Sequence, residues 1–341
     1  MRYPDFIHPG DTLGYVAPSF GCVIEPYKSR FQHALNHFKE LKYKEKLGPN
    51  VFLDLGEGRS NTAEACAKEL QDFWEDPEVN ALISVGGGEL MCEILPYLDF
   101  ERIRAAKPKW YMGYSDNTNF TFLLPTLADT AALYGPCASE FGMEPLDPAL
   151  QDCQDFLEGK KCVFHGYEKW EKESLKSEEE PLLPYNLTEK TEVKSFFWDG
   201  TPISGRFIGG CTDCLINLIG TPFDKVQEFS ERYKEDGILW FLESCDLNVF
   251  AIRRAFWQMK EAGWFRHVKG FIIGRPLVFG ETFGNLDQYN AVTEILKEFN
   301  VPVIMDVDLG HLPPKMPFIS GGYGTVVPYG EKNITLEYTL K

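Results

Sequence analysis

The sequence predicts an α/β protein: an N-terminal parallel sheet with helices on both faces, followed by a C-terminal mixed α/β domain richer in strand. Three observations carry this. Residues 1–130 alternate short apolar runs with segments of helical period, a charged and proline-broken stretch then interrupts the pattern, and period-two alternation returns at the end of the chain. Strand alternating with helix implies parallel pairing, because each parallel connection must cross back over the sheet and usually does so as a helix.

The elements follow in order. "TLGYVAPS" (12–19) reads as a strand ending in a Pro-Ser corner. Between Tyr27 and Leu41 the apolar residues Phe31, Leu35, Phe38 and Leu41 recur at helical spacing. "VFLDL" (51–55) is expected to be extended, and "TAEACAKELQDFWED" (62–76) to be a helix. "ALISV" (81–85) runs into Gly86-Gly87-Gly88, and a further helix leads to "WYMGYS" (110–115). This order is Rossmann- or flavodoxin-like, and sheets of that kind bind ligands at the carboxyl ends of their strands. Both "SVGGG" and "GYSD" fall at such ends. From Glu158 to Lys194 no period is sustained, so this stretch reads as a linker or excursion. Beyond Trp198 come "PISGRFIGG", the helical "CLINLIG", the strand "GILWFLES" (237–244) and the amphipathic helix "VFAIRRAFWQMKEAG". Strands "VKGFIIGRP" and "VPVIMDVDLGH" flank a helix at 287–298, and "GTVVPYGEKNITLEYTL" alternates like a hairpin turning at Gly330. The expected division is an N-terminal domain over 1–160, a linker over 161–197 and a C-terminal domain over 198–341.

Composition narrows the function. The chain has 341 residues, 44% hydrophobic and 25% charged, as a soluble protein with a substantial core does. With 51 acidic against 34 basic residues the net charge is -17, which repels phosphate backbones and anionic lipid. Nucleic-acid and membrane partners are therefore not expected. No apolar run is long enough to span a bilayer, and "MRYPDFIHPGD" lacks the apolar core of a secretory signal, so a cytoplasmic location is expected. Nine scattered cysteines, odd in number, read as reduced thiols and not as a disulfide framework.

Ser115 lies on a corner between a strand and a helix, where the helix macrodipole favours a developing anion. The amide of Asp116 is a candidate oxyanion donor; the competing reading is an ordinary helix cap. Gly86-Gly87-Gly88 lets a substrate approach the backbone closely and offers Gly87 and Gly88 amides to an oxyanion. A dinucleotide fingerprint fails, because Met91 stands where its last glycine belongs, and no Gly-Lys-Ser/Thr follows for a phosphate loop. The competing reading is a tight turn.

A serine nucleophile needs a base, and six histidines are available. His33 and His37, four apart on a helix, lack a third metal ligand. Besides His8, His165 lies at the edge of the linker, and His267, flanked by Arg266 and Lys269, has an ordinary surface setting. His311 follows the apolar strand "VPVIMDVDLG" and precedes "LPPKMP", whose prolines hold a loop in place, as a catalytic imidazole requires. For the carboxylate that orients it, Glu243 at the end of "ILWFLE" competes with Asp246, Asp306 and Asp308. Cys211-Thr-Asp-Cys214 is open to a redox reading, but no thioredoxin-like pattern precedes it and no second pair completes a zinc site.

These pieces, in this order, resemble the LD-carboxypeptidase family of serine peptidases, which includes the microcin C immunity peptidases. The likeness runs from "HPGDTLGYVAPS" through "FWEDPEVNALISVGGG", "KPKWYMGYSDNT", "YGPCASEFG", "GRFIGGCTDCLINLIGTPFD" and "ILWFLES" to "DLGHLPPKMPFISGG". The resemblance implies a catalytic Ser115, Glu243 and His311, with no metal and no cofactor, in a cytosolic homodimer. It also implies an active site formed between the two domains. Where many members carry Gly-Gly-Asn, this chain has Gly210-Cys211, which makes these two the candidate substrate-contact positions. "SVGGGEL" and "LESCD" resemble the immunity-peptidase branch more than the cell-wall branch. The implied reaction is hydrolysis of the L–D amide of a murein tetrapeptide with release of D-alanine. The alternative substrate is a peptidyl- or aminoacyl-nucleotide, on whose base Trp198 is a candidate for stacking. A non-catalytic small-ligand binding protein and a thiol oxidoreductase using Cys211 and Cys214 are the alternatives of other classes.

Overall fold

The computed structural model describes residues 1–330 and 332–341. The chain divides into two compact units, one of residues 1–161 with 173–186, the other of residues 162–172 with 187–341.

The first unit begins β1 (Thr12–Val16), α1 (Tyr27–Glu40), β2 (Lys44–Leu47), α2 (Ala63–Glu75) and β3 (Ala81–Ser84). It continues with α3 (Phe100–Ala105), β4 (Trp110–Gly113), α4 (Thr118–Thr121), α5 (Leu123–Ala128), β5 (Ala132–Tyr134) and α6 (Pro148–Leu157). Five strands run parallel in the order β2-β1-β3-β4-β5, the flavodoxin-like order. β3, β4 and β5 are buried at every position, as strands covered on both faces must be. Helix α2 starts where Thr62 accepts the Ala65 amide, and it buries Leu70, Phe73 and Trp74. Trp110 stands edge-on to Phe156, the ring centroids 5.0 Å apart.

One expected strand is misplaced. "VFLDL" is a turn and loop, and the strand falls earlier on the polar "KEKL" of β2. β2 is an edge strand with mostly exposed side chains, so it needs no apolar period. Phe52, Leu53 and Leu55 are instead apolar side chains on the surface.

The second unit holds β6 (Val163–His165), β7 (Lys169–Trp170), β8 (Glu189–Lys190), β9 (Lys194–Phe196) and the long β10 (Ile203–Cys211). Then follow α7 (Thr212–Leu218), α8 (Val226–Arg232), β11 (Ile238–Glu243), α9 (Val249–Glu261) and β12 (Val268–Gly274). The short β13 (Thr282–Phe283) and β14 (Leu286–Asp287) precede α10 (Gln288–Leu296), β15 (Val303–Val307), β16 (Phe318–Ser320), β17 (Tyr323–Tyr329) and β18 (Asn333–Tyr338). The eight-stranded sheet has the order β6-β18-β17-β10-β11-β12-β15-β9. Its centre, β10 to β15, is parallel, and its flanks are antiparallel. The stretch without period thus contributes β6 and β9 as edge strands; three residues apiece are too few to show alternation. Residues 173–186 pack within the first unit, where the Arg30 guanidinium donates to the carbonyls of Pro181 and Leu183, each at 3.2 Å.

Candidate active site

The first unit places Ser115 on a strained turn. β4 ends at Gly113, Tyr114 is extended, and Ser115 opens a 3-10 turn (Ser115–Asn117) with φ of 61°. A serine at positive φ stores backbone strain, which persists only where its surroundings over-determine it. Those surroundings are buried polar contacts. The Ser115 amide donates to the Tyr134 hydroxyl at 3.2 Å. The buried Asp116 carboxylate accepts from the Ser19 hydroxyl at 2.5 Å, the Met91 amide at 2.8 Å and the Asn119 carboxamide at 3.0 Å. The turn is therefore fixed from the loops that follow β1 and β3.

The glycine run lies beside this turn. A Cβ added to Gly87 would stand 3.2 Å from the Ser115 Cβ and 3.3 Å from its Oγ, so a bare backbone is what approaches the hydroxyl. Gly88, at φ of 145°, packs against Ser19, whose Oγ would be 2.1 Å from an added Cβ. Ser115, Asp116, Gly87 and Gly88 thus cluster at the carboxyl ends of β3 and β4.

The second unit brings together Glu243 and His311. Glu243 ends β11, 1% exposed, and its Oε2 lies 2.9 Å from His311 Nδ1. His311 sits on the loop after β15. Gly310, at φ of 102°, lets that loop press on the carboxylate, because a Cβ there would be 2.8 Å from the Glu243 Cβ. Burial opposes charge on the imidazole, but the Glu243 carboxylate and the Cys245 thiol outweigh it, and the His311 pKa is raised above the usual histidine value. Pairing Nδ1 with a carboxylate fixes the tautomer and leaves proton transfer to Nε2.

The competing carboxylates are engaged elsewhere. Asp306 accepts from the Gln288 carboxamide at 2.9 Å and the Tyr289 hydroxyl at 2.7 Å. Asp308 forms a buried ion pair with Arg275 at 2.5 Å and accepts the Tyr167 amide at 2.6 Å. Asp246 is exposed. His33, His37, His165 and His267 contact Glu144, Gln154, Thr335 and Glu231 respectively.

The proposed substrate-contact positions separate. Gly210 and Cys211 end β10 in register with Leu242 and Glu243, so Cys211 is the strand neighbour of the paired carboxylate. Trp198 is half-buried and donates its indole N–H to the Thr201 carbonyl at 2.7 Å. The Cys211 pKa is raised well above its usual value by its hydrogen bond with Cys214 and by burial, with Glu243 adding to both. A redox-active thiol needs the opposite shift. Among the described residues no group of three His, Cys, Asp or Glu side chains is placed to hold a metal ion.

Three residues with clear roles escape sequence reasoning. Asn117 joins the serine turn to the glycine run, donating to the Gly86 carbonyl at 2.9 Å. Asp213, between the two cysteines, accepts the amides of Cys245 at 3.1 Å and Asp246 at 2.8 Å and so holds the chain just after Glu243. Cys245 hydrogen-bonds His311. The only signal for Asn117 is its place two residues after Ser115.

Comparison with known proteins adds to this geometry. Family profiles match the LD-carboxypeptidase N-terminal domain over residues 13–135 and the LD-carboxypeptidase C-terminal domain over residues 204–326. The microcin C7 self-immunity protein MccF of Escherichia coli is 26% identical over 339 residues, spanning 96% of this chain and 93% of its own. The murein tetrapeptide carboxypeptidase of Pseudomonas aeruginosa is 24% identical over 217 residues, spanning 63% of this chain and 62% of its own. The solved structure of MccF with aspartyl sulfamoyl adenosine matches with a TM-score of 0.82 at 24% identity, covering 99% of each chain, a likeness of fold.

Proposed function

The chain belongs to the LD-carboxypeptidase family and is a hydrolase of the serine-carboxypeptidase type, and from that premise we propose how its residues divide the reaction. His311 Nε2 takes the proton of Ser115 as Oγ attacks an amide carbonyl near the substrate's C-terminus. The amides of Asp116 and of Gly87 or Gly88 hold the oxyanion. His311 then gives its proton to the leaving amine, and water releases the acyl group from Ser115. Glu243 orients the imidazole and stabilises its charged form. The observation that carries this reading is the buried Glu243–His311 pair, a carboxylate spent on one histidine. The positive φ of Ser115 beside Gly87 supports the other half.

The proposed bond is the L–D amide of a murein tetrapeptide, cleaved to release D-alanine. Similarity to MccF over nearly the whole chain supports a second substrate, a peptidyl- or aminoacyl-nucleotide. The same family premise carries a homodimer and a cytoplasmic location; among the described residues no helix is long and apolar enough to cross a membrane. The test incubates the protein and its Ser115→Ala and His311→Ala variants with a murein tetrapeptide and with aspartyl sulfamoyl adenosine, following products by mass spectrometry. Cleavage that both substitutions abolish is expected. Unchanged turnover in Ser115→Ala overturns the proposal.

A further inference from the structure

The glycines that carry the proposed oxyanion donors have their peptide planes fixed by side chains that the reaction scheme does not use. The Gly86 carbonyl accepts two hydrogen bonds, from Ser84 Oγ at 2.9 Å and from Asn117 Nδ2 at 2.9 Å. The same Asn117 Nδ2 donates to the Tyr114 carbonyl at 3.1 Å, and its Oδ1 accepts from the Tyr111 hydroxyl at 2.5 Å. Asn117 is 0% exposed. A peptide group is planar and trans, so the Gly86 C=O and the Gly87 N–H form one plate and point opposite ways. Whatever holds the carbonyl aims the amide. Two donors on one carbonyl also polarise the N–H at the other end of the plate. The next plate is held separately, by the Phe20 amide donating to the Gly87 carbonyl at 3.0 Å.

We propose that Asn117 is a positioning residue of the oxyanion hole: its carboxamide sets the plane of the Gly86–Gly87 peptide against the Ser115 turn, with Ser84 as the second donor. This rests on reading Ser115 as the nucleophile and Gly87 as a donor. One side chain bonds the carbonyl just before Ser115 and the carbonyl just before Gly87, so it fixes the spacing between attacking atom and oxyanion donor. Such an arrangement matters when negative charge develops and little before, so its loss lowers kcat and leaves KM nearly unchanged.

Labelling with an alkyl fluorophosphonate tests this without assuming a peptide substrate. The Ser115 Oγ–P bond forms as the P–F bond breaks, fluoride leaves, the serine proton passes to His311, and a phosphoryl oxygen takes the oxyanion position. Rates are compared for the wild type, Asn117→Ala, Ser84→Ala and Ser115→Ala, each checked for cooperative melting. Ser84→Ala leaves the Asn117 side chain and its bond to Tyr114 in place, so it separates aiming of the plate from loss of the side chain that packs the turn. Labelling is expected to slow about 10- to 100-fold in Asn117→Ala and several-fold in Ser84→Ala, as for a weakened oxyanion donor. A wild-type rate in folded Asn117→Ala, or in Ser84→Ala, overturns the assignment; should Asn117→Ala fail to fold, Ser84→Ala alone decides. Label that persists in Ser115→Ala, or never forms on the wild type, instead removes the nucleophile reading beneath it.

Discussion

Each unit holds its part of the proposed catalytic machinery by different physics. In the first, the preparation is geometric: a serine at positive φ, glycine backbone against its hydroxyl, and hydrogen bonds from Asn117 and to the buried Asp116 carboxylate fixing both. In the second it is electrostatic: a carboxylate 1% exposed raises the affinity of an imidazole for its proton. A backbone arrangement is insensitive to pH, whereas a buried charge pair is not. Damage to the first unit should therefore lower rates at every pH, and damage to the second should also move the pH profile.

The largest expected effect tests whether the halves act as one. Ser115→Ala and His311→Ala should each cost about 10⁴-fold or more in kcat, with the double variant little worse than either, as groups that act together behave. Steady-state turnover that falls additively would break the comparison at its root. Glu243→Gln should cost about 10³- to 10⁴-fold through the lost orientation of the imidazole. Its sign in pH is defined. Glu243 favours the imidazolium, so activity in the wild type rises as pH climbs through a raised His311 pKa. Without the charge that rise must come at lower pH, which a kcat/KM profile would show.

Asp308 provides the contrast within the second unit. Its carboxylate faces Arg275 with both side chains almost fully buried, so Asp308→Ala should cost about 3–5 kcal/mol of stability. Denaturant unfolding measures that loss, while the acid limb of the folded fraction stays in place. A shifted limb would mean that Asp308 shares the role given to Glu243. Gly87→Ala should slow turnover about 100-fold at all pH values, because a methyl group would stand 3.3 Å from the Ser115 hydroxyl. Cys211→Ser should change turnover by no more than about 3-fold, since a hydroxyl can replace the thiol at the end of β10. A larger loss in that assay would return the cysteines to the chemistry.

The same contrast explains what the sequence makes legible. Ser115 and Glu243 each close an apolar run, and His311 follows one closely, so strand ends announce them and the parallel sheet follows from the alternation of runs and helices. β2 is illegible because an edge strand with exposed side chains carries no apolar period, and the expected strand at 51–55 takes its place. Asn117, Asp213 and Cys245 stay hidden because their roles are contacts to chain distant in sequence, such as Asn117 to Gly86. Choosing Glu243 over Asp306 and Asp308 likewise requires the geometry, since all three lie in or just after buried strands; on residues alone the choice stays open.

Ser115 belongs to one unit and Glu243 to the other, so the most direct measurement reads the reactivity of the first as a function of the charge on the second. The rate at which an alkyl fluorophosphonate labels Ser115 is followed across pH in the wild type and in Glu243→Gln. A wild-type rate that rises with pH, and a slower variant whose rise is displaced to lower pH, are the expected results. Identical profiles for the two proteins, or label on any residue other than Ser115, would contradict the account.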